Sequence, residues 1–140
     1  MTFEEYFENE FDYKLDEISF HSINPPNEPI TCEMKLKDEL TGDFGQDSQL
    51  NLKLKRIISF EPAYIYELTI VYSIRLKLKK NCRLQPEQNG EYWAKLLLNN
   101  PSGYLGEVCS RISMLVANIT GANGKPPAII PPIAAGLINR

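Results

Sequence analysis

The sequence predicts an α+β fold in which helices pack on an antiparallel sheet. Three observations carry this reading. Residues Tyr64 to Leu78 alternate without a slip, with Tyr64, Tyr66, Leu68, Ile70, Tyr72, Ile74, Leu76 and Leu78 on one face and Glu67, Thr69, Ser73, Arg75 and Lys77 on the other. Period-2 alternation of this kind marks a strand buried on one face and wet on the other. Leu50, Leu52, Leu54, Ile58 and Phe60 form a second such stretch just upstream, and beyond Lys79-Lys80-Asn81 the apolar period changes from strand-like to helical. A strand-rich half followed by a helical half is the pattern of helix on sheet.

In chain order, Phe3, Phe7 and Phe11 recur every four residues among acids, which predicts a short amphipathic helix or arm over residues 1–12. A single domain then covers residues 13–140, with strands to about residue 80, a helical region over about 91–120 and a proline-rich extended tail over 122–140. Its first strand runs from Tyr13 to Phe20, with Tyr13, Leu15, Ile18 and Phe20 apolar, and ends at Asn24-Pro25-Pro26-Asn27. Ile30, Cys32, Met34 and Leu36 alternate with Thr31, Glu33, Lys35 and Lys37 as a second strand, and Thr41 to Ser48 reads as a loop. The third strand folds back on Tyr64–Leu78 through Glu61-Pro62-Ala63. Placing Phe60 opposite Tyr64 puts both apolar sets on one face. Arg56 then points into that face opposite Leu68, which predicts a bulge near Arg56-Ile57 or a rim position.

Tyr92, Trp93, Leu96 and Leu97 suggest a helical turn or two. Asn100-Pro101 is a helix start, Leu105, Val108, Ile112, Leu115, Val116 and Ile119 recur at helical spacing, and Gly121 suits the residue after the last turn. Gly103 and Gly106 predict a loose first half or a close backbone contact. Pro126, Pro127, Pro131 and Pro132 keep the tail extended. At about 3.3 Å per residue the Tyr64–Leu78 stripe spans roughly 50 Å, against a diameter of about 37 Å for a compact domain of this size. One subunit is therefore expected to leave part of the stripe for a second copy or a bound chain.

The 140 residues carry a net charge of −3, three cysteines without a C-x-x-C pair, and one histidine. The acidic balance and the absence of a long apolar run argue against a nucleic-acid role and against membrane insertion, and the thiol pattern fits a cytoplasmic protein. His21 has no nucleophile at a telling distance, and three scattered cysteines do not make a zinc site, so neither enzymatic activity nor a metal or cofactor is expected. Gly42-x-x-Gly45 lacks the Lys-Ser/Thr of a phosphate loop. Lys53, Lys55 and Arg56 with Arg75, Lys77, Lys79 and Lys80 form a basic stripe, read as a solvated outer sheet face with Lys77 placed to pair with Asp47.

With its elements in order, the chain resembles the SecB family of export chaperones. Tyr13 to Phe20 followed by Asn24-Pro25-Pro26 is similar to that family's opening strand and turn. Tyr64-Ile65-Tyr66-Glu67-Leu68 resembles its F-L-x-E-V segment, Ser113-Met114-Leu115 its final helical stretch, and Lys125-Pro126-Pro127 through Ile133 its proline-rich tail. The resemblance implies a four-stranded antiparallel sheet with helices on one face, a dimer or tetramer, and no cofactor. It also implies hydrophobic capture of unfolded polypeptide clients and, in true SecB, transfer to the SecA motor. By position the motor contact falls on Glu17, Ile65 and Glu67, and His21 stands where the family has a second acid. Tyr64, Tyr66, Trp93, Tyr104, Leu105, Ile129 and Ile130 are the candidates for the client groove or subunit interface. The F-P-Y-A-R-E motif of the family's main helix is replaced by Tyr104-Leu105-Gly106-Glu107-Val108-Cys109, and the sequence stops at Arg140 before a further helix. Two functions follow as expectations: an ATP-independent SecB-like holdase, or an adaptor on the same fold dedicated to one partner, such as an antitoxin or a mobile-element protein.

Overall fold

A computed structural model describes residues 3–23, 33–45, 48–61, 65–99 and 103–122, with side chains in the last segment from Leu105 onward. A helical turn, α1 (Phe3–Tyr6), leads into β1 (Phe7–Ile23), followed by β2 (Glu33–Phe44), β3 (Gln49–Glu61), β4 (Ile65–Leu78), α2 (Gly90–Asn99) and α3 (Gly103–Ala122). The strands form one antiparallel sheet in the order β1-β4-β3-β2, so the two most apolar strands are central and the two most charged are at the edges. The helices cover one face. This is the α+β arrangement the sequence predicts.

Alternation decides the faces. Leu50, Leu52, Leu54 and Ile58 of β3 and Tyr66, Leu68, Ile70, Tyr72, Ile74 and Leu76 of β4 are all buried on the helix side. They meet Trp93, Ala94 and Leu97 of α2 and Leu105, Val108, Cys109, Ile112 and Val116 of α3 in a single core. The α3 stripe has the i, i+3, i+4, i+7 spacing that puts its residues on one helical face. Phe3 and Phe7 join the same core, their rings packing edge-on against Trp93. The cover thus comes from the chain's own helices and N-terminal aromatics, and the β4 stripe does not need a second copy to bury it.

Several elements differ from the sequence expectation. The strand β1 starts at Phe7, well before Tyr13, because Phe7 and Phe11 pair with Leu78 and Leu76. Thr41 to Phe44 continue β2 instead of opening a loop, paired with Lys53 to Leu50. The β3–β4 register sets Ile58 against Leu68, two residues from the expected alignment, which preserves the faces but places Arg56 opposite Ile70. No bulge occurs at Arg56, and it is no rim residue: its side chain is fully buried. The irregularities lie in β1, which has one register shift between Phe7 and Phe11 and a second where Asp16 is the extra residue between Leu15, paired with Tyr72, and Glu17, paired with Val71. That insertion keeps Tyr13, Leu15, Ile18 and Phe20 on one face despite their broken alternation.

The side-chain carbonyl of Asn89 accepts the N–H of Tyr92 at 2.9 Å and caps α2. Gly121 lies inside the last turn of α3 instead of after it. The backbones of Gly42 and Gly90 approach so closely that a Cβ built on Gly90 would lie 2.2 Å from the Gly42 carbonyl oxygen. Gly42, read as part of a turn, is therefore where α2 meets β2. A Cβ on Gly106 would meet open space, so no close contact explains that glycine. Ile30, Cys32, Asp47, Tyr64, the Asn100-Pro101 start and the proline-rich tail lie outside the described residues; Lys77 faces Gln49.

Candidate polypeptide-binding surfaces

The sheet has two faces with different chemistry. On the helix side, Tyr66 stacks on Phe20 with centroids 5.3 Å apart and meets Phe60 edge-on at 5.0 Å. Trp93 is enclosed by Phe3, Tyr6, Phe7 and Tyr92. Tyr66, Trp93 and Leu105 are each no more than 3% exposed. They are core residues of this chain rather than an open groove, because α2 and α3 lie over them. Tyr64, Ile129 and Ile130 are outside the described residues, as is the side chain of Tyr104.

The uncovered apolar surface is elsewhere. Leu15 and Ile18 are 41% and 42% exposed and share the helix-side face of edge strand β1. Met34, Tyr92 and Met114 are the other large apolar side chains left in solvent among the described residues. Leu15 and Ile18 are legible in the sequence as strand residues but not as a surface. Their i, i+3 spacing was the available sign, since only a bulge brings that spacing onto one face of a strand. Tyr13, two residues before Leu15, donates to Glu107 Oε1 at 3.0 Å and ties β1 to α3.

Glu17, Ile65 and Glu67 fall together on the outer face. Glu17 pairs with Val71, Ile65 with Ile23 and Glu67 with His21, so the three occupy the β1–β4 ladder within about six β4 positions. Glu17 and Glu67 are exposed, and Ile65 is half-buried with φ of 78°. A β-branched residue in the left-handed region is strained. Nε2 of His21 and Oγ of Ser19 are 3.3 Å apart on the same face.

A charged pair is buried in the core. Arg56 donates from Nε to Asp38 Oδ1 at 2.8 Å and from Nη2 to Oδ2 at 2.7 Å, the two-pronged pairing that suits a guanidinium. Both side chains are shielded from solvent, and Cys109 of α3 lies beside them. Burial disfavours the Arg56 charge, but the hydrogen bonds and charge of Asp38 outweigh it and hold the guanidinium above its ordinary value. Burial pushes the Cys109 thiol up; Arg56 opposes this and Asp38 reinforces it, so Cys109 remains a thiol at neutral pH rather than a nucleophile. No cluster of three or more potential metal ligands occurs among the described residues. No helix among them is long and apolar enough to cross a membrane.

No protein-family model matches the chain, and no curated protein does. Solved structures do match. The architecture is the SecB-like fold: it superimposes on the Rv1957 SecB-like chaperone of Mycobacterium tuberculosis, solved in complex with a ChAD peptide from the Rv1956 HigA1 antitoxin, with a TM-score of 0.61. The match covers 88% of this chain and 85% of that one at 11% identity. At that identity the likeness is one of fold, and it agrees with the family resemblance read from the strand order and turn residues.

Proposed function

We propose that this protein is an ATP-independent, SecB-like holdase of the cytoplasm that binds unfolded or precursor polypeptides through exposed apolar surface. The observation that carries the reading is the pair Leu15 and Ile18, left in solvent on an edge strand of a SecB-like sheet. Capture of client side chains there would release about 25 cal/mol per Å² of apolar area, so several weak contacts suffice without sequence readout. Self-association into a dimer or tetramer through the same edge would extend that surface, with Tyr64, Tyr104, Ile129 and Ile130 as further candidates for groove or interface. Glu17, Ile65 and Glu67 are proposed as the contact for a SecA-like motor, on the face away from the client.

A second reading has its own support. The solved neighbour holds a peptide from one antitoxin, which fits an adaptor dedicated to a single partner. Light scattering from several unrelated, chemically unfolded proteins separates the two. Suppression across all of them at near-stoichiometric ratio supports the holdase. Suppression of none overturns it and leaves the adaptor. Multi-angle light scattering of the protein alone tests the oligomer, and a clean monomer removes that part.

A further inference from the structure

The pocket around Trp93 of α2 is closed by the N-terminal arm. The indole ring meets Phe3 edge-on at 5.4 Å, Phe7 edge-on at 5.1 Å and Tyr6 at 5.0 Å. Phe3 and Phe7 also stack on each other at 4.6 Å, so the arm enters as one aromatic wedge with its rings four positions apart. Nε1 of Trp93 is buried beneath it and has no hydrogen-bond partner among the described residues. A buried donor without an acceptor carries a free-energy cost that the closed arm leaves uncompensated.

The arm is built to come away as a unit. The helix α1 is a single turn, too short to hold itself, so its order depends on where its rings are seated. Between Phe7, paired with Leu78, and Phe11, paired with Leu76, β1 advances four residues against two on β4. This slip separates the arm from the regular ladder, and rotation there lifts Phe3 to Phe7 while the pairs from Phe11 onward stay in place. The loop after β4 pins the closed arm: Lys79 N–H donates to the Tyr6 carbonyl at 2.8 Å, and the Cys82 thiol to the Glu5 carbonyl at 3.3 Å. Glu4 and Glu5, between the rings, face solvent.

We propose that the Trp93 pocket binds a segment of an unfolded protein chain carrying two aromatic residues four positions apart, and that the N-terminal arm is a built-in competitor for it. The arm itself defines the ligand, since its two rings at helical spacing are what the pocket now holds. An incoming segment that also brings a carbonyl to Trp93 Nε1 supplies the acceptor the arm lacks, and so gains over the arm where the ring contacts are equal. The tether keeps the arm at high effective concentration, so the site opens only for such a segment or when the wedge is loosened. That the segment belongs to an unfolded chain rests on the holdase reading; the exchange of arm for segment does not.

Trp93 is the only tryptophan of the chain, so its fluorescence reports on the pocket. The probe is a serine- and glutamine-based peptide with two phenylalanines four positions apart. It is compared with a peptide that has them adjacent and one with serine in their place. Phe3→Ser loosens the wedge ahead of β1; it should make Trp93 at least about twofold more accessible to acrylamide and tighten peptide binding at least about tenfold. Joining Glu5→Cys to Cys82 with a short thiol cross-linker, confirmed by mass, should hold the arm closed and abolish binding, with wild type treated alike as the control. An unchanged Kd in Phe3→Ser overturns the proposal. So does undiminished binding by the cross-linked protein, or equal affinity for the adjacent-phenylalanine peptide. If Phe3→Ser loses its cooperative thermal transition, the cross-linked protein decides alone. A protein that binds the spaced peptide only with its arm free, yet suppresses no client, keeps this site and loses the holdase. Client suppression without peptide binding does the reverse.

Discussion

Arg56 and Asp38 form a two-pronged ion pair at the centre of an otherwise apolar interface, one on β3 and the other on the neighbouring edge strand β2. The pair fastens the edge strand to the sheet beneath α3 through two charge-assisted bonds that exclude water. Removing one partner should therefore be far more damaging than removing both.

Asp38→Ala leaves a buried guanidinium without its carboxylate and should cost about 3–5 kcal/mol. Joint replacement by Asp38→Leu and Arg56→Met should come close to wild-type stability or exceed it. Urea midpoints measured for the single and double variants decide this. Equal losses for Asp38→Ala and the double variant would show that the charge pairing is not what holds the strand.

Stability should fall at alkaline pH through Cys109. Its folded thiol titrates above the ordinary value of 9.0, so above that pH the unfolded chain binds fewer protons than the native one. The stabilisation is complete below about pH 9 and is lost as pH rises through the native thiol's titration. Burial also raises Tyr66 and Tyr72 from 10.0, so their loss follows at higher pH. Thermal midpoints between about pH 8 and 10 should decline in the wild type and stay nearly flat in Cys109→Ala; parallel slopes would remove Cys109 as the cause.

Two glycines should respond oppositely to alanine. Gly90→Ala drives a methyl into the Gly42 backbone, which cannot turn aside, and should cost about 1–3 kcal/mol. Gly106→Ala adds a methyl in open space within α3 and should gain up to about 1 kcal/mol. Chemical denaturation of both variants checks the signs.

At Ile65 the usual order of strand preferences should reverse. Its φ of 78° penalises any residue with a Cβ. Ile65→Gly and Ile65→Ala both lose the side chain's packing, yet the glycine variant should be more stable by about 1 kcal/mol. If alanine is the more stable, the left-handed conformation is not kept in solution.

Much of the fold was legible because apolar period is a local property. The β3 and β4 stripes and the Leu105–Val116 helical face are all written as spacing and are all realised. What was not legible depends on pairing across the chain. The polar Asp38 sits in β2 at the one position where a charge can meet Arg56, and only the register reveals that. Thr41 to Phe44 look like a turn because of Gly42, whose role is set by Gly90, nearly fifty residues away. Leu15 and Ile18 needed knowledge of where α3 ends its cover.

The extra residue at Asp16 also bears on how the sheet can grow. Among the described residues β1 is an edge strand of 17 residues, long enough to template uncontrolled strand addition. At Asp16 the repeat of outward amides and carbonyls is broken, and the side chain there takes a hydrogen bond from Ser73 that fixes the irregularity. A regular incoming strand can match residues 11–15 or residues 17–23, but not both. Any chain that joins this edge must stop at Asp16 or carry an extra residue of its own.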